Sequence, residues 1–184
     1  NTAVGQNAGG STTVGSRNSV LGEYALRYNT TGMQNVAIGS NALEFSITAS
    51  DNTAIGYQSM HITTAGSNSA MGHQTLLHNT TGSNNSAIGK GALKANTEGH
   101  YNTATGAESQ KSTYGATSYN SSFGARSLYS NVYGVNNTAV GYDALLASNS
   151  GSNNIGIGKG AGDAITTGSN NTVIGDLAGT TTMA

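Results

Sequence analysis

Apolar and small residues return along this chain with a period of about seventeen residues. The repeat units begin at Asn1, Asn18, Asn35, Asn52, Asn68, Asn85, Asn102, Asn120, Asn137, Asn154 and Asn171, and one unit has sixteen residues and one eighteen. We number the positions within a unit from this asparagine. Position 4 is apolar in ten of the eleven units, and position 5 is glycine in all of them. Self-similarity at a fixed period of this length is typical of stacked repeat architectures.

Two positions of the repeat are expected to form buried apolar columns. Position 4 holds Val4, Leu21, Ile38, Ile55, Met71, Ile88, Thr105, Phe123, Val140, Ile157 and Ile174. Position 9 holds Leu26, Leu43, Met60, Leu76, Leu93, Leu128 and Leu145, whereas the remaining units carry Gly9, Gln110, Gly162 and Gly179 there. Positions 3 and 8 are almost always small, so we expect another backbone to approach closely at these positions.

Glycine and asparagine indicate the turns of each unit. A second glycine follows the first by ten residues in most units, often within the string NTTG, as at 29–32 and 79–82. Both residue types tolerate positive φ, so each unit is predicted to contain two turns and two short strands. Helix is disfavoured because glycine interrupts every candidate segment. The sequence therefore predicts an all-β fold, a parallel β-solenoid or β-roll of about eleven coils, as one domain over residues 1–184.

The asparagine that opens every unit has a structural interpretation. In a parallel stack, equivalent positions lie above one another at a spacing of ~4.8 Å. The eleven asparagines would then form a ladder in which side-chain amides bond along the stack. Such a ladder explains their recurrence without any ligand.

Composition excludes several classes of function. Only 8% of the residues are charged, the net charge is −1, and the chain has 27 glycines but no proline, cysteine or tryptophan. The scattered basic residues give no footprint for nucleic acid, and no apolar run is long enough for membrane insertion. The absence of cysteine removes disulfides and thiolate metal sites, which is compatible with an extracellular location. The chain starts at a repeat boundary without methionine, which indicates a fragment or a processed product.

Candidate chemistry is sparse, and we expect neither an enzyme nor a cofactor. The string GIGKGAG at 156–162 departs from both glycine-rich phosphate-binding patterns and falls at positions 3 to 9 of a repeat. His61, His73, His78 and His100 occupy different repeat positions without carboxylates at ligand spacing, so no metal site is predicted. No nucleophile, base and orienting group can be named together.

Several strings in the repeat resemble those of a known family. NVAIG at 35–39, NTAIG at 52–56, NSAIG at 85–89 and NTVIG at 171–175 resemble the head repeats of trimeric autotransporter adhesins. The longer unit, with NTAVG or NTAIG followed by AL and NTTG, is similar to repeats of bacteriophage tail fibres and related bacterial surface proteins. The resemblance covers the whole chain. It implies a homotrimer of parallel chains with an attachment or spacer role on a virion or bacterial surface.

The expected energetics also favour self-association. Each coil offers two or three inward apolar side chains, at ~1.5 to 3 kcal/mol for each full burial, against ~1 to 2 kcal/mol for each ordered backbone residue. A single thin roll is therefore marginal, and three rolls meeting through their small-residue faces would bury more surface. The leading hypothesis is a structural and adhesive rod. The alternatives are a monomeric ice-binding solenoid and an inert spacer.

One segment, residues 105–134, interrupts the pattern. Both apolar columns fail there, at Thr105 and Gln110, and the unit has eighteen residues. Aromatic residues concentrate in the same segment, namely Tyr114, Tyr119, Phe123, Tyr129 and Tyr133. Exposed tyrosines can stack on sugar rings and bond their hydroxyls, which would suit a host cell-surface glycan or protein receptor. Alternatively, Phe123 and some tyrosines refill a locally widened core.

Overall fold

A parallel sheet runs the length of the molecule, built from one short strand in each repeat unit. The computed structural model describes residues 1–179, which contain no helix and form a β-solenoid with about seventeen residues in each turn. Eleven strands make the sheet: β1 (Thr2–Val4), β2 (Ser19–Leu21), β3 (Val36–Ile38), β4 (Thr53–Ile55), β6 (Ser69–Met71), β8 (Ser86–Ile88), β9 (Thr103–Thr105), β10 (Ser121–Phe123), β11 (Thr138–Val140), β12 (Ile155–Ile157) and β13 (Thr172–Ile174). The predicted fold is confirmed.

The strands pair in the register that the repeat predicts. Position 3 of each strand pairs with position 3 of the next, as Ala70 does with Ala87 and Ala87 with Ala104. The expectation of a second strand in every unit is wrong. In the described part of the chain, a second, two-stranded sheet is formed only by β5 (Ile62–Thr63) and β7 (His78–Asn79). Elsewhere the other side of the coil is a series of turns.

The core lies between the sheet and these turns and is filled by positions 3, 8 and 9. The position 9 column is confirmed, because Leu26, Leu43, Met60, Leu76, Leu93, Leu128 and Leu145 are all fully buried. These side chains point at the inner face of the sheet: a Cβ built on Gly156, in β12, would lie 2.7 Å from Leu145 Cγ. Alanines at positions 3 and 8 line the same interior, for example Ala87 and Ala92. The small residues therefore face the core of their own chain, and the prediction that they form an interface between chains is wrong.

Position 4, predicted to be buried, faces outward instead. Successive side chains of a strand point to opposite faces, so an inward alanine at position 3 places position 4 on the outer face. Nine of the column's members have exposed side chains: Val4, Leu21, Ile38, Met71, Ile88, Phe123, Val140, Ile157 and Ile174. Ile55 and Thr105 are half-buried. We call this outward column the apolar stripe.

The asparagine ladder at position 1 is present in every described coil. The side-chain oxygen of each asparagine accepts the backbone N–H of the next, at 3.0 Å from Asn85 N to Asn68 Oδ1 and 2.9 Å from Asn102 N to Asn85 Oδ1. From Asn1 to Asn154 the side-chain nitrogen donates to a carbonyl of the same coil thirteen to fifteen residues later, as Asn68 Nδ2 does to Gly82 O at 3.0 Å. Each of these ten asparagines thus closes its own coil and joins it to the next.

A second set of buried asparagines, at position 12, was not predicted. Asn29, Asn79, Asn96 and Asn131 are fully buried. Asn96 Nδ2 donates to Gly99 O at 3.0 Å and to Asn79 Oδ1 of the preceding coil at 2.9 Å. The asparagines of the two NTTG strings make the same bond within their own turns, from Asn79 Nδ2 to Gly82 O at 2.7 Å and from Asn29 Nδ2 to Gly32 O at 3.1 Å, as buried polar groups require.

A polar cluster replaces the apolar core where the position 9 column fails. Gln110 is fully buried, and its Nε2 donates to Ser122 Oγ at 2.8 Å and to Thr103 O at 3.1 Å. Ser109 Oγ lies 2.6 Å from Ser122 Oγ and 3.0 Å from Ser127 Oγ. The space is filled by these hydrogen-bonded side chains. The alternative prediction, that Phe123 and tyrosines refill the core, is wrong for Phe123, which is exposed.

The two glycines that most units contain are required for different reasons. Gly89, at position 5, has a φ of +125°, a conformation that L side chains rarely adopt, so it marks a turn as predicted. Gly82, at position 15, lies outside the positive-φ region. There the backbone of the next coil is too close: a Cβ on Gly82 would overlap Gly99 O and lie 2.5 Å from Asn79 Oδ1 and 2.7 Å from Asn96 Nδ2.

We expect Gly82→Ala to lower the free energy of unfolding by about 1 to 3 kcal/mol, because the added methyl group forces two coils apart. The matched control is Gly115→Ala. A Cβ there meets Val132 O at 3.4 Å, an ordinary contact. Urea unfolding followed by circular dichroism measures both variants. Equal midpoints for Gly82→Ala and the wild type would contradict the close approach of the coils at position 15.

Candidate functional site

The apolar stripe runs along the outer face of the eleven-stranded sheet. Its members come from neighbouring strands at a spacing of ~4.8 Å, so the stripe extends over roughly 50 Å. Its outward neighbour on each strand, position 2, is mostly serine or threonine, and positions 2 to 4 carry no charged residue in any unit. Near the middle of the stripe, Met71 and Ile88 flank a shallow depression of about 90 Å³. This surface is flat, uncharged and apolar along one line.

The predicted tyrosines are on the surface but do not form one cluster. Tyr114, Tyr119 and Tyr133 are exposed, and Tyr129 is half-buried. Tyr119 stacks on Tyr101 of the preceding coil, with ring centroids 5.3 Å apart and planes 5° from parallel. Three of the four tyrosines are thus exposed at the surface, as a binding role requires.

Tyr114, Tyr129 and Tyr133 lie along the turn side of the solenoid, and Tyr119 lies at the corner that precedes the sheet. A Cβ built on Gly115, beside Tyr114, would contact the ring of Tyr133 at 3.6 Å. Lys111 Nζ lies 5.4 Å from the ring centroid of Tyr129. Three of the predicted residues are therefore within a few coils of one another on one side, whereas Tyr119 is separate from them.

Lys111 also forms the shortest ion pair of the described residues. Its ammonium nitrogen lies 2.8 Å from Glu108 Oε1. This hydrogen bond raises the pKa of Lys111 and lowers the pKa of Glu108. Both groups are therefore charged at neutral pH, and Lys111 is held beside the tyrosines.

A second aromatic and charged cluster, missed in the sequence, spans coils two to four. Tyr28 stacks on Phe45 with ring centroids 5.0 Å apart, and Phe45 meets His61 edge-on at the same distance. Glu44 is buried beside them, with Arg27 Nη1 at 3.8 Å and His61 Nδ1 at 3.6 Å. Tyr28 and Phe45 both occupy position 11 of neighbouring coils, which is the sequence signal for this cluster, whereas His61 occupies position 10 of the next coil. Its groups satisfy one another, so we interpret it as a structural support between coils.

The remaining candidate residues do not converge on a reaction centre. No group of three metal-binding side chains occurs among residues 1–179. His73 stacks on Tyr57, whereas His100 Nδ1 accepts the backbone N–H of Ser83 at 3.0 Å. The string GIGKGAG forms β12 and the turn after it. In the described part of the chain, no helix is long and apolar enough to cross a lipid bilayer.

The fold defines the chain as a parallel β-solenoid repeat protein with an exposed apolar stripe. Comparisons with protein-family models, with curated proteins and with solved structures find no match.

Proposed function

We propose that this chain is a structural rod segment that assembles as a parallel homotrimer through the apolar stripe and presents its turn side for attachment. The observation that carries the proposal is the outward column of apolar side chains at position 4. Soluble monomers rarely expose contiguous apolar patches of more than a few hundred Å². A stripe roughly 50 Å long and roughly 10 Å wide reaches this limit.

The composition of the stripe favours second and third copies of this chain as the partner. Its layers follow one another at the coil spacing, so parallel copies in register place equivalent residues at the same height. Because positions 2 to 4 are uncharged throughout, no like charges meet in such an assembly. An unrelated partner would need the same regular spacing to cover the stripe.

The narrowness of the stripe supports three-fold symmetry. Face-to-face packing of two sheets would bury the serine and threonine column at position 2 together with the apolar one. Around a three-fold axis, the single apolar column of each chain packs against two neighbours, and position 2 lies toward the rim. The resemblance of NSAIG and NTAIG to repeats of trimeric fibres and adhesins supports the same arrangement, on a virion or bacterial surface.

The ice-binding alternative is weakened by the hydrogen bonds of the threonines at position 13. Thr64 Oγ1 and Thr80 Oγ1 each donate to a backbone carbonyl of the next coil at 2.7 Å, and Thr97 Oγ1 does so at 2.6 Å. These hydroxyl groups therefore already donate hydrogen bonds within the protein. A regular outward array of free threonine hydroxyls, which ice binding would require, is not formed by this column.

We expect light scattering on a size-exclusion column to give three times the chain mass of 18.4 kDa. The mass should be independent of salt, because the stripe carries no charge. A mass of one chain would contradict the proposal, and thermal hysteresis of the same sample would then favour the ice-binding alternative. A mass of two chains would retain the stripe as an interface but exclude three-fold symmetry.

A further inference from the structure

A groove on the turn side of coils five to seven carries unpaired positive charge next to an exposed aromatic ring. Its volume is about 380 Å³, and it is lined by His78, Lys94, Ala95, Lys111, Ser112 and Tyr114. These residues follow the buried side chain at position 9, which is Leu76, Leu93 or Gln110 and lies between the turns and the sheet. The groove and the apolar stripe therefore lie on opposite sides of the coil, and assembly through the stripe leaves the groove open.

The two lysines of the groove occupy the same repeat position in neighbouring coils. Lys94 and Lys111 are both at position 10, so their backbones lie ~4.8 Å apart. Lys111 is neutralised by Glu108 at 2.8 Å. Lys94 Nζ instead donates to the neutral Gln74 Oε1 at 2.8 Å, and no carboxylate of the described residues lies within ion-pair distance of it. The groove thus keeps one uncompensated ammonium group.

His78, on the other wall of the groove, adds a polar group without adding charge at neutral pH. Burial lowers the pKa of His78, and the nearby Lys94 and His61 lower it further. A neutral imidazole donates one hydrogen bond from its protonated ring nitrogen and accepts one at the other. Lys94 is therefore the main source of charge, and His78 and Ser112 are additional hydrogen-bonding groups.

An exposed tyrosine and a small apolar floor complete the groove. The side chain of Tyr114 is 64% exposed, and Ala95 is buried at the base. An aromatic face next to a small floor suits the stacking of a sugar ring, whose hydroxyls can bond to the polar groups around it. With a single free lysine, the groove offers too few cationic contacts for a nucleic acid backbone.

We propose that this groove binds a sugar unit that carries an anionic group, either a carboxylate or a sulfate, as part of an acidic polysaccharide. The ring stacks on Tyr114, and Lys94 donates to the anionic group. This inference rests on the attachment role in the proposed function and names the class of ligand. It does not depend on the number of chains in the assembly.

The test is isothermal titration calorimetry of the assembled protein with three probes of matched length: a uronic acid oligosaccharide, a sulfated oligosaccharide and neutral chito-oligosaccharide. We expect binding of one or both acidic probes and at least about tenfold weaker binding of the neutral one, since charge-assisted hydrogen bonds exceed this difference. The better acidic probe identifies the source of the anionic group. Equal binding of the neutral probe, or no binding of any, would overturn the inference.

Two variants and one control locate the site. Lys94→Gln and Tyr114→Ala should each weaken acidic-sugar binding by about tenfold. Lys90→Gln removes the same charge from an exposed position of the same coil outside the groove and should leave binding unchanged. Equal losses in Lys90→Gln and Lys94→Gln would indicate general charge attraction and overturn the site. The mass of each sample, measured alongside, tests the trimer separately: a trimer that binds no sugar contradicts only the groove, and a monomer that binds contradicts only the assembly.

Discussion

Replacing Met71 and Ile88 together with aspartate should convert the assembled protein into monomers while the solenoid stays folded. The two side chains are neighbours in the apolar stripe, because β6 pairs with β8 in register. In a parallel trimer the double variant places six carboxylates around the axis, in two successive layers. Each side chain also loses the ~1.5 to 3 kcal/mol that burial of an apolar residue contributes. The combined cost exceeds what a marginal interface can supply.

The fold of a single chain should tolerate this change. Met71 and Ile88 are 49% and 48% exposed in the isolated chain, and the core is formed by positions 3, 8 and 9. Light scattering should therefore report one chain mass, with a circular dichroism spectrum like that of the wild type. The control is Ile47→Asp, which introduces one carboxylate, half the charge of the double variant, at an equally exposed side chain, 49%, outside the strands. Its mass should remain that of the assembly.

The results of these variants distinguish the proposed interface from other possibilities. If the Met71 and Ile88 double variant keeps the wild-type mass, the stripe is not the interface. If Ile47→Asp also dissociates, the assembly depends on net charge and not on the stripe. Dissociation accompanied by loss of the circular dichroism signal would mean that the coil depends on its partners for stability.

The solenoid could be predicted from the sequence because its determinants are periodic and local. Glycine at position 5 and asparagine at position 1 recur in all eleven units, and identical positions stack in a parallel coil. The position 9 leucines were assigned correctly to the core. The asparagine ladder was also predicted, although its main hydrogen bond runs from a backbone N–H to a side-chain oxygen and not between side-chain amides.

The direction of position 4 could not be read from its apolar character alone. An apolar column indicates burial, and burial by another chain gives the same sequence pattern as burial in the chain's own core. The alternation of a three-residue strand decides between them, since alanine at position 3 already fills the narrow interior. The non-glycine residues in the left-handed region, such as Leu93 with a φ of +49°, were equally hidden, because leucine does not favour this conformation.

The residues that line the groove could be related to one another from the seventeen-residue period of the sequence, but not from its composition. Lys94 and Lys111 are seventeen residues apart, which places both at position 10 and therefore side by side. The clustering of tyrosines between residues 105 and 134 predicted a binding surface that remains a prediction, and it did not reveal that Tyr119 lies apart from the others. Tyr114 is at position 13 of its coil, on the turn side, whereas Tyr119 is the last residue of the same coil and stacks on Tyr101, the last residue of the preceding one.

Replacing the ladder residue Asn68 with aspartate should destabilise the protein by about 3 to 5 kcal/mol at pH 7, the cost of an uncompensated buried charge. Asn68 is fully buried. Its Oδ1 accepts the backbone N–H of Asn85 at 3.0 Å, a bond that aspartate can keep. Its Nδ2 donates to Gly66 O at 3.1 Å and Gly82 O at 3.0 Å. A carboxylate oxygen at the same place would face two carbonyl oxygens without a proton between them.

The pH dependence of this variant has a defined sign. Burial and the two carbonyl oxygens raise the pKa of the new carboxyl group in the folded state above its unfolded value of about 3.9. At pH values between the unfolded pKa and the folded pKa of this carboxyl group, the folded protein holds a proton that the unfolded chain releases. Relative to the wild type, the variant should therefore be least destabilised below about pH 4 and lose stability as the pH rises through the folded pKa. The protonated acid can donate to one carbonyl, which recovers part of the loss.

The matched control is Asn84→Asp, the same change at an exposed side chain of the same coil, where Nδ2 donates only to Ser83 Oγ at 3.2 Å. Its φ of +57° is one that aspartate tolerates. Urea unfolding at a fixed chain concentration between pH 3 and pH 8 should give a curve parallel to the wild type for Asn84→Asp and a widening gap for Asn68→Asp. If the difference in the free energy of unfolding between Asn68→Asp and the wild type narrowed as the pH rose, the ladder would accept a negative charge at this position. In that case Asn68 would not be held by hydrogen bonds from Nδ2 to the two carbonyl oxygens.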